Sequence, residues 1–454
     1  MCQPLINKYN VPGPRYTSYP TVPFWNINTF SLPQWRTALE RAFSESNKEE
    51  GISIYIHLPF CESLCTFCGC HKRITKRHEV ELPYIKTLLK EWALYLDAVN
   101  ARPKIKEIHL GGGTPTFFSA QNLKFLITEL LQRADLAEDY EFSFEGHPNN
   151  TTELQLQTLY DLGFRRVSFG VQDYNPTVQK AIHRLQTFEA VKHVTQLARS
   201  IGYTSVGHDL IFGLPLQTEA DVIKTINYTK ELQPDRIAFY SYAHVPWLKG
   251  NGQRGFNKGD IPKGQEKRQQ YETGKRLLQD IGYTEIGMDH FALSTDSLYK
   301  ATTRKSLHRN FMGYTSSKTK VMIGLGASAI SDSWYGFAQN VKSLEEYTHL
   351  IDEGVIPVFR GHILDNKDLA VRQHILNLMC HFETSWEKDD LKFNELTEVV
   401  ISLKEFENDG LIEFYNYGMK VTEEGKPFIR NICMAFDLYL KQQQPNRQLF
   451  SMTI

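Results

Sequence analysis

His57-Leu58-Pro59-Phe60-Cys61-Glu62-Ser63-Leu64-Cys65-Thr66-Phe67-Cys68-Gly69-Cys70 is the stretch whose reading decides the architecture. Cys61, Cys65 and Cys68 stand in C-x3-C-x2-C spacing on one short loop. Close-spaced cysteines commonly hold iron–sulfur clusters, and four thiolates saturate a four-iron cube. Three thiolates would leave one iron open to a small molecule, so the loop points to chemistry at a cluster rather than electron storage. A zinc knuckle is the competing reading. It would need Cys70 or His71 as fourth ligand, and the Cys68-Gly69-Cys70 step is tighter than the usual zinc spacing. A disulfide pair is disfavoured, because seven cysteines in 454 residues without a secretory pattern read as reduced thiols. Buried structural cysteines would not gather four within Cys61–Cys70.

Working outward, the loop directly follows a strand, Ile52–Leu58. Further strands are predicted at Ile105–Leu110, Glu141–Glu145, Arg166–Gly170, Ser205–Ile211 and Arg236–Tyr242. Between and after them, apolar spacing predicts helices over Leu82–Val99, Ala120–Arg133, Glu153–Leu162, Phe188–Ile201, Glu219–Leu232 and Gln265–Ile281. Thr151, Thr187 and Thr218 stand as N-caps. Six such units imply a parallel sheet with right-handed crossovers, too few for a closed eight-stranded barrel. The expected fold is therefore α/β, an open partial (β/α)6 barrel, with a doubly wound flat sheet as the alternative. Sites in both lie at the carboxyl ends of the strands, where the cysteine loop sits.

Residues 1–50 read as an N-terminal extension or lid, with a helix opening at Ser31. Residues 51–345 form the barrel and 346–454 a mainly helical domain. In the latter, helices at Leu369–Phe382 and Phe393–Asp409, a hairpin through Gly410–Tyr415 and Gly418–Thr422, and a helix from Glu423 outline a winged helix. No basic stripe accompanies that outline and the net charge is −1, so nucleic acid is not an expected partner. No apolar run approaches a membrane span, and the opening Met1-Cys2-Gln3-Pro4-Leu5 lacks a secretory pattern, so a cytoplasmic location is expected.

The cysteine loop, with Phe67 before the third cysteine, resembles the signature of the radical S-adenosylmethionine (SAM) enzymes. The resemblance implies a 4Fe–4S cluster held by Cys61, Cys65 and Cys68, with SAM on its open iron. Gly111-Gly112-Gly113-Thr114-Pro115 closes the second strand, where glycines would let backbone groups approach SAM's methionine end. Glu145, Gln172, Asp209 and Ala243 follow at or near the ends of successive strands, and the two carboxylates suit ribose hydroxyls.

Further segments narrow the likeness. Pro14–Thr21, Leu110–Thr116, Gly170–Asp173, Asp209–Pro215, Tyr242–Pro246, Gly287–Ala292, Leu307–Phe311, Gly324–Ser331 and Arg430–Met434 resemble the oxygen-independent coproporphyrinogen III oxidase family nearly end to end. Two neighbourhoods depart from its habit, at His147 and at Gly207-His208. The resemblance implies that Tyr55, Gly112, Glu145 and Ile330 touch the cluster-bound SAM. A second SAM, or part of the substrate, would meet Phe67, Gly113, Thr114, Gln172, Arg184, Asp209 and Ala243. Cys70 would be required for activity without binding the cluster. The implied reaction turns two propionates of coproporphyrinogen III into vinyl groups. Arg15, His308 and Arg309 are then candidates to hold carboxylates. An external electron donor such as a flavodoxin or ferredoxin is implied, and a monomer. A haem-trafficking paralogue and a zinc-binding winged-helix protein are the alternative readings.

Overall fold

A computed structural model describes residues 3–247, 252–442 and 448–453; the opening Met1-Cys2 lies outside them. Six parallel strands follow the predicted order. They are β1 (Ile52–Leu58), β2 (Lys104–Gly112), β3 (Asp135–Gly146), β4 (Phe164–Gln172), β5 (Ser205–Phe212) and β6 (Arg236–Ser241). Helices at Glu81–Val99, Ala120–Gln132, Glu153–Asp161, Phe188–Ile201 and Glu219–Leu232 cross between them, and Gly264–Asp280 follows. Thr187 and Thr218 cap as expected. The third cap is Thr152 rather than Thr151, because Thr152 can complete a reciprocal box with Gln155. Thr151 instead donates to the His147 carbonyl at 2.9 Å.

A seventh parallel strand, β7 (Met322–Leu325), lies on the other side of β1, pairing Tyr55 with Gly324. Antiparallel strands extend both edges, Ile330–Asp332, Gly336–Asn340 and Val358–Ile363 beyond β7, and His290–Ala292 and Thr284–Ile286 beyond β6. Among the described residues the sheet is an open row of twelve strands, as a partial barrel requires. It runs on to Ile363, and Tyr347, Ile351 and Ile356 pack in the barrel core. The change of pattern expected near 345 therefore comes later in the chain.

Strand alternation sorts the residues into two faces. Ile52, Ile54, Ile56 and Leu58 turn outward with Phe142, Phe144, Val167 and Phe169 to meet Ile85, Leu88 and Trp92 of the covering helices. The opposite face is polar. There Ser53 donates to Glu107 at 3.0 Å, Arg166 Nε lies 3.0 Å from Glu141, and Arg236 Nε lies 2.7 Å from Asp296. These pairs fill the barrel floor and leave the carboxyl ends of the strands as the open rim.

The C-terminal region has helices Asn366–His381 and Leu396–Asn408 and a three-stranded sheet of Glu383–Ser385, Ile412–Tyr415 and Gly418–Val421. The helix expected from Glu423 begins at Ile429 instead, since Pro427 has no amide to bond back to residue 423. Ile6, Tyr9, Tyr16 and Tyr19 from the N-terminal extension are buried in this second core. Arg430 donates to the carbonyls of Gly13 and Pro14, and Arg309 to those of Arg15 and Tyr16. The segment expected as a lid is thus pinned by two buried guanidinium groups.

Candidate active site

The cysteine loop leaves the end of β1 and is tied down on every side. Arg73 N–H donates to Pro59 O at 2.8 Å and Thr75 N–H to Cys61 O at 2.9 Å. Thr66 bonds the carbonyls of Ala181 and Ile182, at 2.9 Å each. Lys72 Nζ donates to the carbonyls of Cys68 and Cys70, both at 3.2 Å. These contacts aim Cys61, Cys65 and Cys68 into one open cavity of about 470 Å³ at the strand ends.

The glycine triplet also has a packing role. A Cβ on Gly113 would lie 2.6 Å from the Pro59 carbonyl, and one on Gly112 would lie 2.7 Å from the His57 ring. The glycines therefore let β2 lie against the cysteine loop; Gly112 and Gly113 still line the cavity. Thr114 Oγ1 stands 3.3 Å from Cys61 Sγ, and Arg184 Nη1 stands 3.8 Å from Cys65 Sγ. Both are donors suited to a thiolate.

Phe67, Cys70, Glu145, Gln172, Arg184 and Asp209 also line the cavity. Gln172 has φ +67, and its buried Oε1 has no hydrogen-bond partner among the described residues. An orphaned acceptor at a strand end marks a place where a bound donor belongs. Asp209 accepts from Ser168 Oγ at 2.9 Å. Burial, and then the charge of Glu145, push its carboxyl up to about 7. Burial pushes His57 down to about 4, so its ring is neutral. His57 Nε2 donates to the His71 carbonyl at 3.0 Å, which leaves Nδ1 to accept from the Tyr55 hydroxyl, also at 3.0 Å. Burial pushes His147 down to about 3. This neutral ring lines the cavity and accepts from Asn149 N–H at 3.1 Å.

Among the described residues, no three His, Cys, Asp or Glu side chains are grouped closely enough to hold one metal ion. The three thiols line one cavity instead, as thiolates on separate irons of a cluster would. The donor set, the orphaned Gln172 acceptor and the open volume fit a cluster with a polar ligand beside it.

Not every expected residue reaches this cavity. Tyr55, whose ring packs on His57 and His109, is not among its lining residues, and neither are Ala243 and Ile330. Arg15 opens into a different cavity, bonded to Asp289 at 2.9 Å and to the Ser241 carbonyl at 3.1 Å. Arg309 is buried and does not line that cavity. His308 faces away, near Trp334 and Cys380, and burial pushes it down to about 3. Successive residues of a strand point oppositely, so His308 and Arg309 cannot serve one face.

Lys72, Lys76, Ile211 and Tyr240, none of them expected at the site, also line the cavity. Lys72 and Lys76 were legible as cations just past Cys70. Tyr240, whose hydroxyl lies 3.2 Å from His290 Nε2, carried no local signal.

Residues 55–229 match the radical SAM superfamily. The chain is 39% identical over 445 residues to the oxygen-independent coproporphyrinogen III oxidase of Helicobacter pylori, covering 96% of each chain. It is 36% identical to that of Pseudomonas aeruginosa, over 99% of this chain and 98% of the relative. Coproporphyrinogen III oxidase from Escherichia coli, described as a radical SAM enzyme, superposes with a TM-score of 0.88 at 35% identity, over 94% of this chain and 98% of that one. With near-complete coverage and a cysteine-lined cavity at the strand ends, this chain belongs to the oxygen-independent coproporphyrinogen III oxidases of the radical SAM superfamily.

Proposed function

We propose that this protein converts two propionates of coproporphyrinogen III to vinyl groups, giving protoporphyrinogen IX. The observation that carries the reading is the convergence of Cys61, Cys65 and Cys68 with Gln172, Arg184 and Asp209 on one cavity at the carboxyl ends of parallel strands. Cys61, Cys65 and Cys68 would hold a 4Fe–4S cluster. When bound with SAM, such a cluster would supply the chemistry of a 5′-deoxyadenosyl radical. The propionate would give a β-hydrogen atom to that radical, CO2 to solution and one electron to an external electron acceptor, and its two chain carbons would become the vinyl group.

The chain's own residues do the positioning. Thr114 and Arg184 donate toward the thiolates, and Lys72 clamps the loop through two carbonyls. Gln172 offers its free acceptor to a ligand amine or hydroxyl, and Glu145 and Asp209 offer acceptors to ribose hydroxyls. A second SAM or part of the substrate beside Phe67, Gln172, Arg184 and Asp209 is supported by the volume left beyond the thiols. Cys70 is exposed and lines the same cavity, which supports a role in turnover rather than in cluster binding.

Among the described residues, no helix is long and apolar enough to cross a membrane. The six described cysteines are all free thiols, which supports a reducing cytoplasmic setting. A flavodoxin- or ferredoxin-type donor would supply the electron.

The test is anaerobic incubation with coproporphyrinogen III, SAM and a strong reductant, followed by chromatography of the porphyrins. Protoporphyrinogen IX with 5′-deoxyadenosine is the expected product pair. SAM cleavage without any vinyl product would reject the substrate and favour the haem-trafficking reading.

A further inference from the structure

A second, narrow cavity, of about 50 Å³, lies between the helix Gly264–Asp280 and the C-terminal region. It stands at the same rim as the cysteine cavity but on the other side of the strands. Ile211 and Tyr240 line the first cavity, and their successors Phe212 and Ser241 line the second. Several segments that carried the family resemblance, yet are unused by the cysteine site, meet here. Arg15 comes from Pro14–Thr21, Asp289 from Gly287–Ala292 and Arg430 from Arg430–Met434.

The cavity is short of negative charge. Arg15 is matched by Asp289 at 2.9 Å, and Lys426 by Glu423 at 2.5 Å. Arg268 pairs with Glu272, yet its buried Nε has no partner among the described residues. Glu285 is taken by Lys275 at 2.5 Å. That leaves two buried cations with only carbonyl partners. Lys267 Nζ donates to Tyr242 O at 3.1 Å, and Arg430 donates to the carbonyls of Gly13, Pro14 and Met452. Among the described residues, no carboxylate lies within ion-pair distance of either. Burial, and then the charges of Arg15 and Arg430, push Lys267 down to about 7, as befits an amine lacking a counter-ion. Lys267 is 9%, Arg268 8% and Arg430 5% exposed, so water does not supply the missing counter-charge cheaply.

We propose that this cavity is a carboxylate-binding site walled by Lys267, Arg268 and Arg430. Phe212, Tyr271, Met288 and Pro427 add an apolar lining, which suits the methylene groups of a carboxylate-bearing chain better than a bare inorganic anion. The carboxylate has two conceivable sources. One is a propionate of the macrocycle that is not reacting, reaching over the shared ends of β5 and β6 while another propionate lies at the cysteine cavity; this source rests on the function proposed above. The other is a free small carboxylate.

The test uses anaerobically reconstituted protein. Coproporphyrin III, the stable oxidised tetracarboxylate, is titrated by fluorescence, and glutarate by calorimetry and by competition. Lys267→Met and Arg268→Met should each weaken carboxylate binding at least about tenfold, the loss of a charge-assisted hydrogen bond. Lys267→Arg should restore most of it. Glutarate competing with coproporphyrin III would place a propionate of the macrocycle in the cavity. Glutarate binding that is lost in the variants while coproporphyrin III affinity stays unchanged would place a free carboxylate there. Unchanged affinities for both ligands in folded variants overturn the assignment, as does a wild-type protein that binds neither. If the wild type binds glutarate in this cavity but no coproporphyrin III, the proposed substrate fails and the carboxylate site stands.

Discussion

Gly113→Ala tests the role given to the glycine triplet. The added Cβ would lie 2.6 Å from both the carbonyl carbon and oxygen of Pro59 and 2.8 Å from Phe60 O, all backbone atoms. Non-bonded carbon contacts settle near 3.5 Å, so the cysteine loop must retreat by roughly 1 Å. That movement strains Gly113 N–H to Leu58 O at 2.9 Å and Thr114 N–H to Phe60 O at 3.0 Å. Overpacking costs about 1–3 kcal/mol and two weakened hydrogen bonds add roughly 1–2, so a loss of about 2–5 kcal/mol is expected. The loop that retreats carries Cys61, so iron retention after anaerobic reconstitution should fall with stability. Gly69→Ala is the control, since a Cβ there meets nothing within 4 Å and the same loop is altered. Its change should stay within about 0.5 kcal/mol. Urea unfolding and iron per chain are measured for both variants. Gly113→Ala with wild-type stability and iron content would refute the steric argument, and an equal loss in Gly69→Ala would show that the loop tolerates no side chain for some other reason.

Further outcomes follow from other parts of the molecule. Reconstituted wild type should hold about four iron per chain, Cys65→Ala should lose the cluster, and Cys70→Ser should keep it while losing turnover; iron and labile sulfide assays decide, and loss of iron in Cys70→Ser would make Cys70 a ligand. Buried Glu91 accepts from Gly326 N–H at 2.8 Å, Asn340 Nδ2 at 2.6 Å and Tyr347 OH at 2.5 Å, yet burial pushes its carboxyl up to about 7. A carboxyl raised in the folded state holds an extra proton there, so its contribution is fully present below the unfolded value near 4.3 and is lost as pH rises through 7. Between pH 5 and 8 it should remove roughly 2 kcal/mol, and Glu91→Gln should flatten that slope; parallel slopes in urea titrations of the two proteins would refute the assignment.

The sequence by itself determined the local chemistry and the repeating unit. Cysteine spacing, strand alternation and the caps at Thr187 and Thr218 are read over a few neighbours, because hydrogen bonds within a turn and the pointing of successive side chains are short-range properties. From them came the six βα units and the placing of Cys61, Cys65, Cys68, Glu145, Gln172 and Asp209 at strand ends, where the structure brings them to one cavity. Only the tertiary structure decided which distant segments touch. Met322–Leu325 pairs with β1, the glycine triplet yields to the cysteine loop, and His308 turns away from Arg309's side. The gathering of Arg15, Lys267 and Arg430 around a second cavity belongs to the same class. Each residue alone reads as an ordinary surface cation. Their burial, and the lack of a carboxylate for two of them, arise only when the N-terminal segment, a barrel helix and the C-terminal region close on one another.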